Sequence, residues 1–168
     1  LIALPFGLAV AVYMSEVADH KIRNLMKPVI ELLSGIPSVV YGFFGLIVIV
    51  PLLQRVFDLP VGESGLAGSI VLAIMALPTI ITVTEDAMRN CPRAMREASL
   101  ALGASQWQTI YKVVIPYSIS GITSGVVLGI GRAVGETMAV LMVTGNAAVI
   151  PHTILEPLRT IPATIAAE

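Results

Sequence analysis

The fold class this sequence predicts is an all-α, multi-pass membrane protein, and three observations predict it. Of its 168 residues, 56% are hydrophobic and 12% charged, whereas soluble domains carry roughly 25% charged residues. Apolar runs near the roughly 20 residues that a bilayer crossing needs recur at 35–53, 66–84 and 119–143. The basic residues gather in alternate connecting segments, the pattern of a chain whose loops on one side of the membrane hold the positive charge. The same composition excludes other classes. A net charge of −1 offers no surface for nucleic acid. The single cysteine, Cys91, excludes an internal disulfide and a cysteine-built metal cluster.

The elements follow in order. Residues 1–14 are apolar but too short to cross, so they read as part of a further span, and the chain is expected to be a piece of a longer protein. With no basic region ahead of Leu1, they do not read as a signal peptide. The polar stretch SEVADHKIRNLMK follows, then an amphipathic segment over 28–34. The first complete span is 35–53, and 55–65, with Asp58, Pro60, Gly62 and Glu63, is a short loop. Span 66–84 contains Pro78, which predicts a kink near Ala76 and Leu77. Residues 119–143 form the third complete span, and from Gly145 and Asn146 onward the chain reads as polar loop with weak helix. One transmembrane domain over 1–168 results, with three complete spans and part of a fourth.

Orientation comes from the basic residues. Lys21, Arg23 and Lys27 fall in 15–34, and Arg89, Arg93, Arg96 and Lys112 in 89–117; only Arg55 and Arg159 lie on the other side. Seven against two places 15–34 and 89–117 in the cytoplasm.

The cytoplasmic stretch CPRAMREASLALGASQWQTIYKVVIP, residues 91–116, is too polar to span and too patterned to be slack. Pro92 suits a first helical position and Gly103 the left-handed residue that ends a helix. Ser105 with Gln108 forms a capping box for a second helix over 106–114, and Pro116 allows a bend beyond it. The residues alone leave two readings, an interfacial helical hairpin or a docking segment. The spacing adds a resemblance. Glu97-Ala98-Ser99, three residues, Gly103, nine residues, then Val113-Val114-Ile115-Pro116 is similar to the EAA motif of ABC importer permeases, with Ser99 at the second alanine. The resemblance implies the MetI-like transmembrane fold, and coupling helices that dock into a groove on a separate ATPase subunit. It also implies that ATP and Mg bind on partner subunits, with no cofactor on this chain. The absence of a G-x4-G-K-[ST] loop agrees. Ala98, Ala101, Gly103 and Ala104 would permit close approach of the partner, and Glu97 would accept its hydrogen bonds.

GIGRAVGETMA, residues 129–139, sets two charges into an apolar run. On a wheel of about 100° per residue with Gly121 at zero, Gly125 falls at about 40° and Gly129 at about 80°. Arg132 falls at about 20° and Glu136 at about 60°, so all five share one face. Glycine at every fourth residue lets another backbone approach, and the face points away from lipid. A charge at the centre of a span costs roughly 2.5–3.5 kcal/mol on insertion scales. Four residues apart, the two are expected to pair and reduce that cost. They read either as an internal ion pair pinning neighbouring helices or as part of an ion pathway. A guanidinium stays charged and its planar fork fits oxyanions. Glu136 beside it would keep the anion from being trapped.

GRAVGETMAVLMVTGN and ELLSGIPSVVYGFFGL resemble phosphate-specific ABC importer permeases of the PstC type, and the resemblance covers nearly the whole chain. It implies a second phosphate permease subunit, ATP-binding cassette subunits and an extracytoplasmic phosphate-binding protein as partners, in a bacterial or archaeal plasma membrane. It also implies a role for Arg132 and Glu136 in phosphate passage. A permease for another oxyanion, such as sulfate or molybdate, fits the coupling motif equally. A non-conducting regulatory subunit fits the spans. An intramembrane enzyme does not, since no Ser/His or Asp/Asp constellation lies at shared depth.

The remaining polar residues read more simply. Ser38, after Gly35-Ile36-Pro37, reads as a helix start, with the alternative that the free N–H groups there face an anion. Thr79 and Thr82 near Pro78 read as bonding back to their own helix, with the alternative that they line a path beside a kink. Glu85 and Asp86 are expected to be solvated at the cytoplasmic end of their span. His20 and His152 lie in loops on opposite sides. Trp107 and Tyr111 read as interface anchors, and Lys112 as a headgroup contact.

Overall fold

The computed structural model describes residues 1–167. Among them the chain is helical, with one isolated bridge, Gly145 to Leu158, and no strand. The elements are α1 (Ala3–Val17), α2 (His20–Gly35), α3 (Ser38–Val56), α4 (Gly65–Arg89), α5 (Arg93–Ala101), α6 (Gln106–Tyr117), α7 (Ile119–Val134), α8 (Met138–Val143) and α9 (Ile161–Ala167). By length and apolar composition α3 and α4 can each cross a membrane, and α6 with α7 form a pair bent by 70°. Pro116 and the non-helical Ser118 mark that bend. Single π-helical turns sit in α1 (Tyr13–Val17), α3 (Gly45–Ile49) and α6 (Ile110–Val114).

Contacts divide the chain into two compact units, one of residues 1–2, 35–76 and 131 onward, the other of 3–34 and 77–130. In the first, Tyr41, Ile49, Val50 and Leu53 of α3 pack with Ala67, Val71 and Met75 of α4 and with Ala139 and Val143 of α8. Gly42 makes this approach possible, because a Cβ there would stand 2.7 Å from the Ala139 Cα. The start of α4 is buried, so its free N–H groups need partners. Ser64 Oγ accepts from Ala67 N–H at 3.2 Å. The carbonyls of Glu156 and Ile154 accept from Gly65 N–H at 3.1 Å and Leu66 N–H at 2.7 Å. The loop after Asn146 therefore also caps α4, before the short α9.

In the second unit, Ala11 and Met14 of α1, Ile30 of α2 and Ile81 of α4 form the core. The glycines of α7 lie against α4: a Cβ at Gly121 would stand 2.3 Å from the Ala87 Cβ, and one at Gly125 3.0 Å from Thr84 Oγ1. The packing face of α7 is thus built from absent side chains.

α4 continues through Pro78 for 25 residues, and Thr82 Oγ1 donates to the Pro78 carbonyl at 2.8 Å, within the set of adjustments by which proline is tolerated in membrane helices. Two expectations need correction. The run 119–143 is not one helix, because α7 ends at Val134 and α8 begins at Met138. Gly135 brings little helix propensity there, and the Glu136 side chain bonds the start of α8 instead of a turn of α7. Glu85 is not solvated. Its side chain is 1% exposed, against 53% for Asp86.

Glu85 is held by cations that sequence proximity does not reveal. Lys27 Nζ donates to Glu85 Oε2 at 2.9 Å and to Asp86 Oδ1 at 2.6 Å. Arg23 Nε lies 3.0 Å from Glu85 Oε1, a close ion pair whose atoms are not aligned as a hydrogen bond. Arg89 adds a looser contact at 3.7 Å. Burial pulls the Lys27 ammonium down, but hydrogen bonds and charge from Asp86 and Glu85 outweigh it and hold the group above its ordinary 10.5. The stability this contributes is present below that ordinary value and is lost as pH rises through the higher folded one.

Two results should follow in detergent unfolding experiments. Glu85→Ala removes the buried carboxylate that partly buried Arg23 and Lys27 pair with and should cost up to roughly 3 kcal/mol, whereas Asp86→Ala, on the exposed partner, should cost less than about 1 kcal/mol. Equal losses would contradict the burial assignment. Gly121→Ala should destabilise by about 1–3 kcal/mol through overpacking. Gly131→Ala, with nothing within 4 Å of the added carbon, should be neutral or stabilising by up to about 1 kcal/mol.

Candidate functional site

The hairpin of α5 and α6 has two termini that the sequence specifies. Gly103 has φ +85°, and Ala104 N–H donates to the Ser99 carbonyl at 3.2 Å while Gly103 N–H donates to Leu100 at 2.9 Å. That pair of bonds is the Schellman ending. Across the corner, Ser105 Oγ accepts from Gln108 N–H at 3.2 Å and Ser105 N–H donates to Gln108 Oε1 at 2.9 Å, a full capping box. Ser99 Oγ lies 3.0 Å from the buried Thr109 Oγ1, so the residue that departs from the motif's alanine ties one helix to the other. No residue of α5 is buried. Glu97, Ala98, Gly103 and Pro116 are exposed, Ser99 is half-buried, and Leu102, Trp107 and Tyr111 present large apolar surfaces.

Beneath this exposed face, Arg96 turns inward. Its Nη1 pairs closely with Glu16 Oε2 on α1, and its Nη2 donates to the Met88 carbonyl at the end of α4 at 2.8 Å. The Glu16 side chain is 6% exposed. Ser15 Oγ donates to its other oxygen at 2.7 Å, and Gln106 Nε2 of α6 donates to the Glu16 carbonyl at 3.3 Å.

Arg132 and Glu136 flank the interruption between α7 and α8. Arg132 stands in the last turn of α7, where a cation meets the negative end of the helix. Glu136 Oε1 accepts from Ala139 N–H at 3.1 Å in the first turn of α8, where an anion is favoured. Both are half-buried. The wheel that carries Gly121, Gly125 and Arg132 does not extend to Glu136, because the helix has already ended. Each charge is therefore matched to a helix end. Tyr41, which α3 buries, belongs to the same unit.

Sequence reasoning named Arg132, Glu136 and the hairpin residues as candidates but did not single out Tyr41, Glu16 or Ser64, or the partnership of Arg23 and Lys27 with Glu85. Helix-capping preference offered a signal for Ser64, which precedes an apolar run. The others depend on partners far along the chain. Among the described residues no His/Cys/Asp/Glu group is arranged to hold a metal. His152 is an exposed loop residue whose N–H donates to Glu156 Oε2 at 2.8 Å. Together with Thr153, that bond holds the Glu156 carboxyl below its usual value, against a smaller desolvation effect.

Comparison with known proteins bears on the whole chain. Residues 3–165 match the family described as "Binding-protein-dependent transport system inner membrane component". "Probable ABC transporter permease protein YqgH" of Bacillus subtilis is 48% identical over 161 residues, covering 96% of this chain and 52% of that protein. "Phosphate transport system permease protein PstC" of Mesorhizobium japonicum is 38% identical, covering all of this chain and 57% of its own length. The protein of the same name from Pasteurella multocida is 36% identical, with 100% and 58% covered. The chain spans about half the length of the curated relatives it matches. The chain belongs to the family of binding-protein-dependent transport system inner membrane components.

Proposed function

We propose that this chain is part of the permease subunit of an ATP-driven phosphate importer. On this reading inorganic phosphate passes inward along a path that includes Arg132 and Glu136. The observation that carries the reading is the interruption between α7 and α8, flanked by those two charges. Non-helical backbone at membrane depth is tolerated only where it is buried in protein or lines a cavity, and interrupted helices line the substrate sites of many transporters. The fork of Arg132 fits a tetrahedral oxyanion, and Glu136 lowers its hold enough to let the anion leave. The relatives named as phosphate permeases favour phosphate over sulfate or molybdate. They also favour a conducting subunit over a regulatory one.

Coupling follows from the exposed hairpin. Glu97, Ala98, Ser99, Gly103 and Pro116 belong to the surface that meets an ATP-binding cassette subunit, where ATP and Mg are bound. The chain itself performs no hydrolysis. A second permease subunit and an extracytoplasmic phosphate-binding protein complete the assembly in a bacterial plasma membrane. Arg23 and Lys27 from one basic segment pair with Glu85 and Asp86, and Arg89 at the start of the next also pairs with Glu85, which supports placing both segments on the cytoplasmic side. The bare apolar side chains of α3, among them Val39, Phe43, Ile47 and Leu52, are suited to lipid or to the partner permease.

The test uses the full-length protein with its partner subunits in proteoliposomes. Arg132→Gln should reduce phosphate uptake to background while the complex still assembles; normal uptake would contradict the reading. Glu136→Gln keeps an acceptor for Ala139 N–H but loses the charge, so it should preserve stability and slow phosphate release. Glu136→Ala should also lose the cap, at about 1 kcal/mol. Equal transport by Glu136→Gln and the parent would reduce Glu136 to a structural role.

A further inference from the structure

We infer that Arg96 and Glu16 form the joint through which the α5–α6 hairpin moves the membrane helices. The inference rests on the proposed transport function and deepens it. The exposed residues of the hairpin take up a force from outside, but a force is useful only if something rigid carries it inward. Within this unit the guanidinium of Arg96 bonds two other elements at once, the Glu16 carboxylate of α1 and the Met88 carbonyl that ends α4. Gln106 ties the start of α6 to the same Glu16 residue, so both helices of the hairpin converge on one turn of α1. That turn, Tyr13–Val17, is π-helical, a local departure from α geometry that occurs often at functional sites.

Several features make this a joint rather than an ordinary surface pair. Glu16 is 6% exposed and Arg96 23%, so little solvent weakens their attraction, whereas exposed pairs are worth little. Ser15 satisfies the second carboxylate oxygen. A planar fork with fixed donor directions holds the angle between two acceptors, which a lysine cannot do. Arg96 directly precedes Glu97, the exposed acid at the head of the motif-like stretch, so inward and outward contacts alternate along one turn of α5. The end of α4 held by Met88 also carries Glu85, which Arg23 and Lys27 of α2 grip. A shift of the hairpin would thus be passed to α1 and α4 directly and to α2 through Glu85.

Arg96 is a positioning residue, so the decisive readout is phosphate imported per ATP hydrolysed. The full-length assembled complex in proteoliposomes is compared with Arg96→Gln, Glu16→Gln and the double variant. Arg96→Lys serves as the gentler change that keeps the charge and assembly. Each single variant should retain ATP hydrolysis and lose transport per ATP by about tenfold, inside the usual range of coupling between sites. The double variant should be no worse than either single one, because both break one joint. Arg96→Lys should fall between the parent and Arg96→Gln. Unchanged ratios, losses that add in the double variant, or uptake and hydrolysis falling together would overturn the inference. If the parent complex imports no phosphate, the transport reading fails and this inference falls with it. If the parent transports and the variants keep its ratio, only the joint fails.

Discussion

Inside a bilayer every backbone polar group and every charge must find its partner within protein, and the features described above follow from that constraint. A helix that stops at Val134 and resumes at Met138 is tenable only if its ends are answered. Arg132 answers the carbonyl end of α7 and Glu136 the N–H end of α8. The pair that looked like an anomaly in an apolar run is what permits the run to break.

The same requirement shapes the rest of each unit. Buried at the start of α4, Ser64 and two distant carbonyls satisfy the first turn. Toward its other end, Glu85 would be untenable alone and is gripped by Arg23 and Lys27. Glycine replaces side chains where helices touch, at Gly42 against Ala139 and at Gly121 against Ala87. Around the hairpin the balance differs. Its outer face is left open, with Glu97 and Trp107 exposed, while Arg96 reaches back to α1 and α4 and Gln106 to α1. An element so open on one side and so firmly anchored on the other is suited to passing on a displacement.

Local signals were legible in the sequence. The turn at Gly103, the capping box at Ser105 and Gln108, and the bend beyond Pro116 each depend on a few neighbouring residues, and each has the expected geometry. The apolar stretches of α3 and α4 were legible because length and hydropathy decide them. What failed needed information from elsewhere. Periodicity alone cannot register that a glutamate four residues after an arginine will cap the next helix. Glu85 and Asp86 are adjacent and chemically alike, yet one is buried and one exposed. Only the cations of α2, some 58 residues away in the case of Lys27, distinguish them.

The central claim is that the interruption at 135–137 lies on the path of phosphate. Gly135 is exposed there, and the chain's single cysteine, Cys91, is buried. In a Cys91→Ser background, the rate at which a water-soluble thiol reagent labels Gly135→Cys in transport-active proteoliposomes gives the most direct measure. The account predicts labelling that phosphate slows and chloride does not. A rate that phosphate leaves unchanged while uptake persists would contradict it.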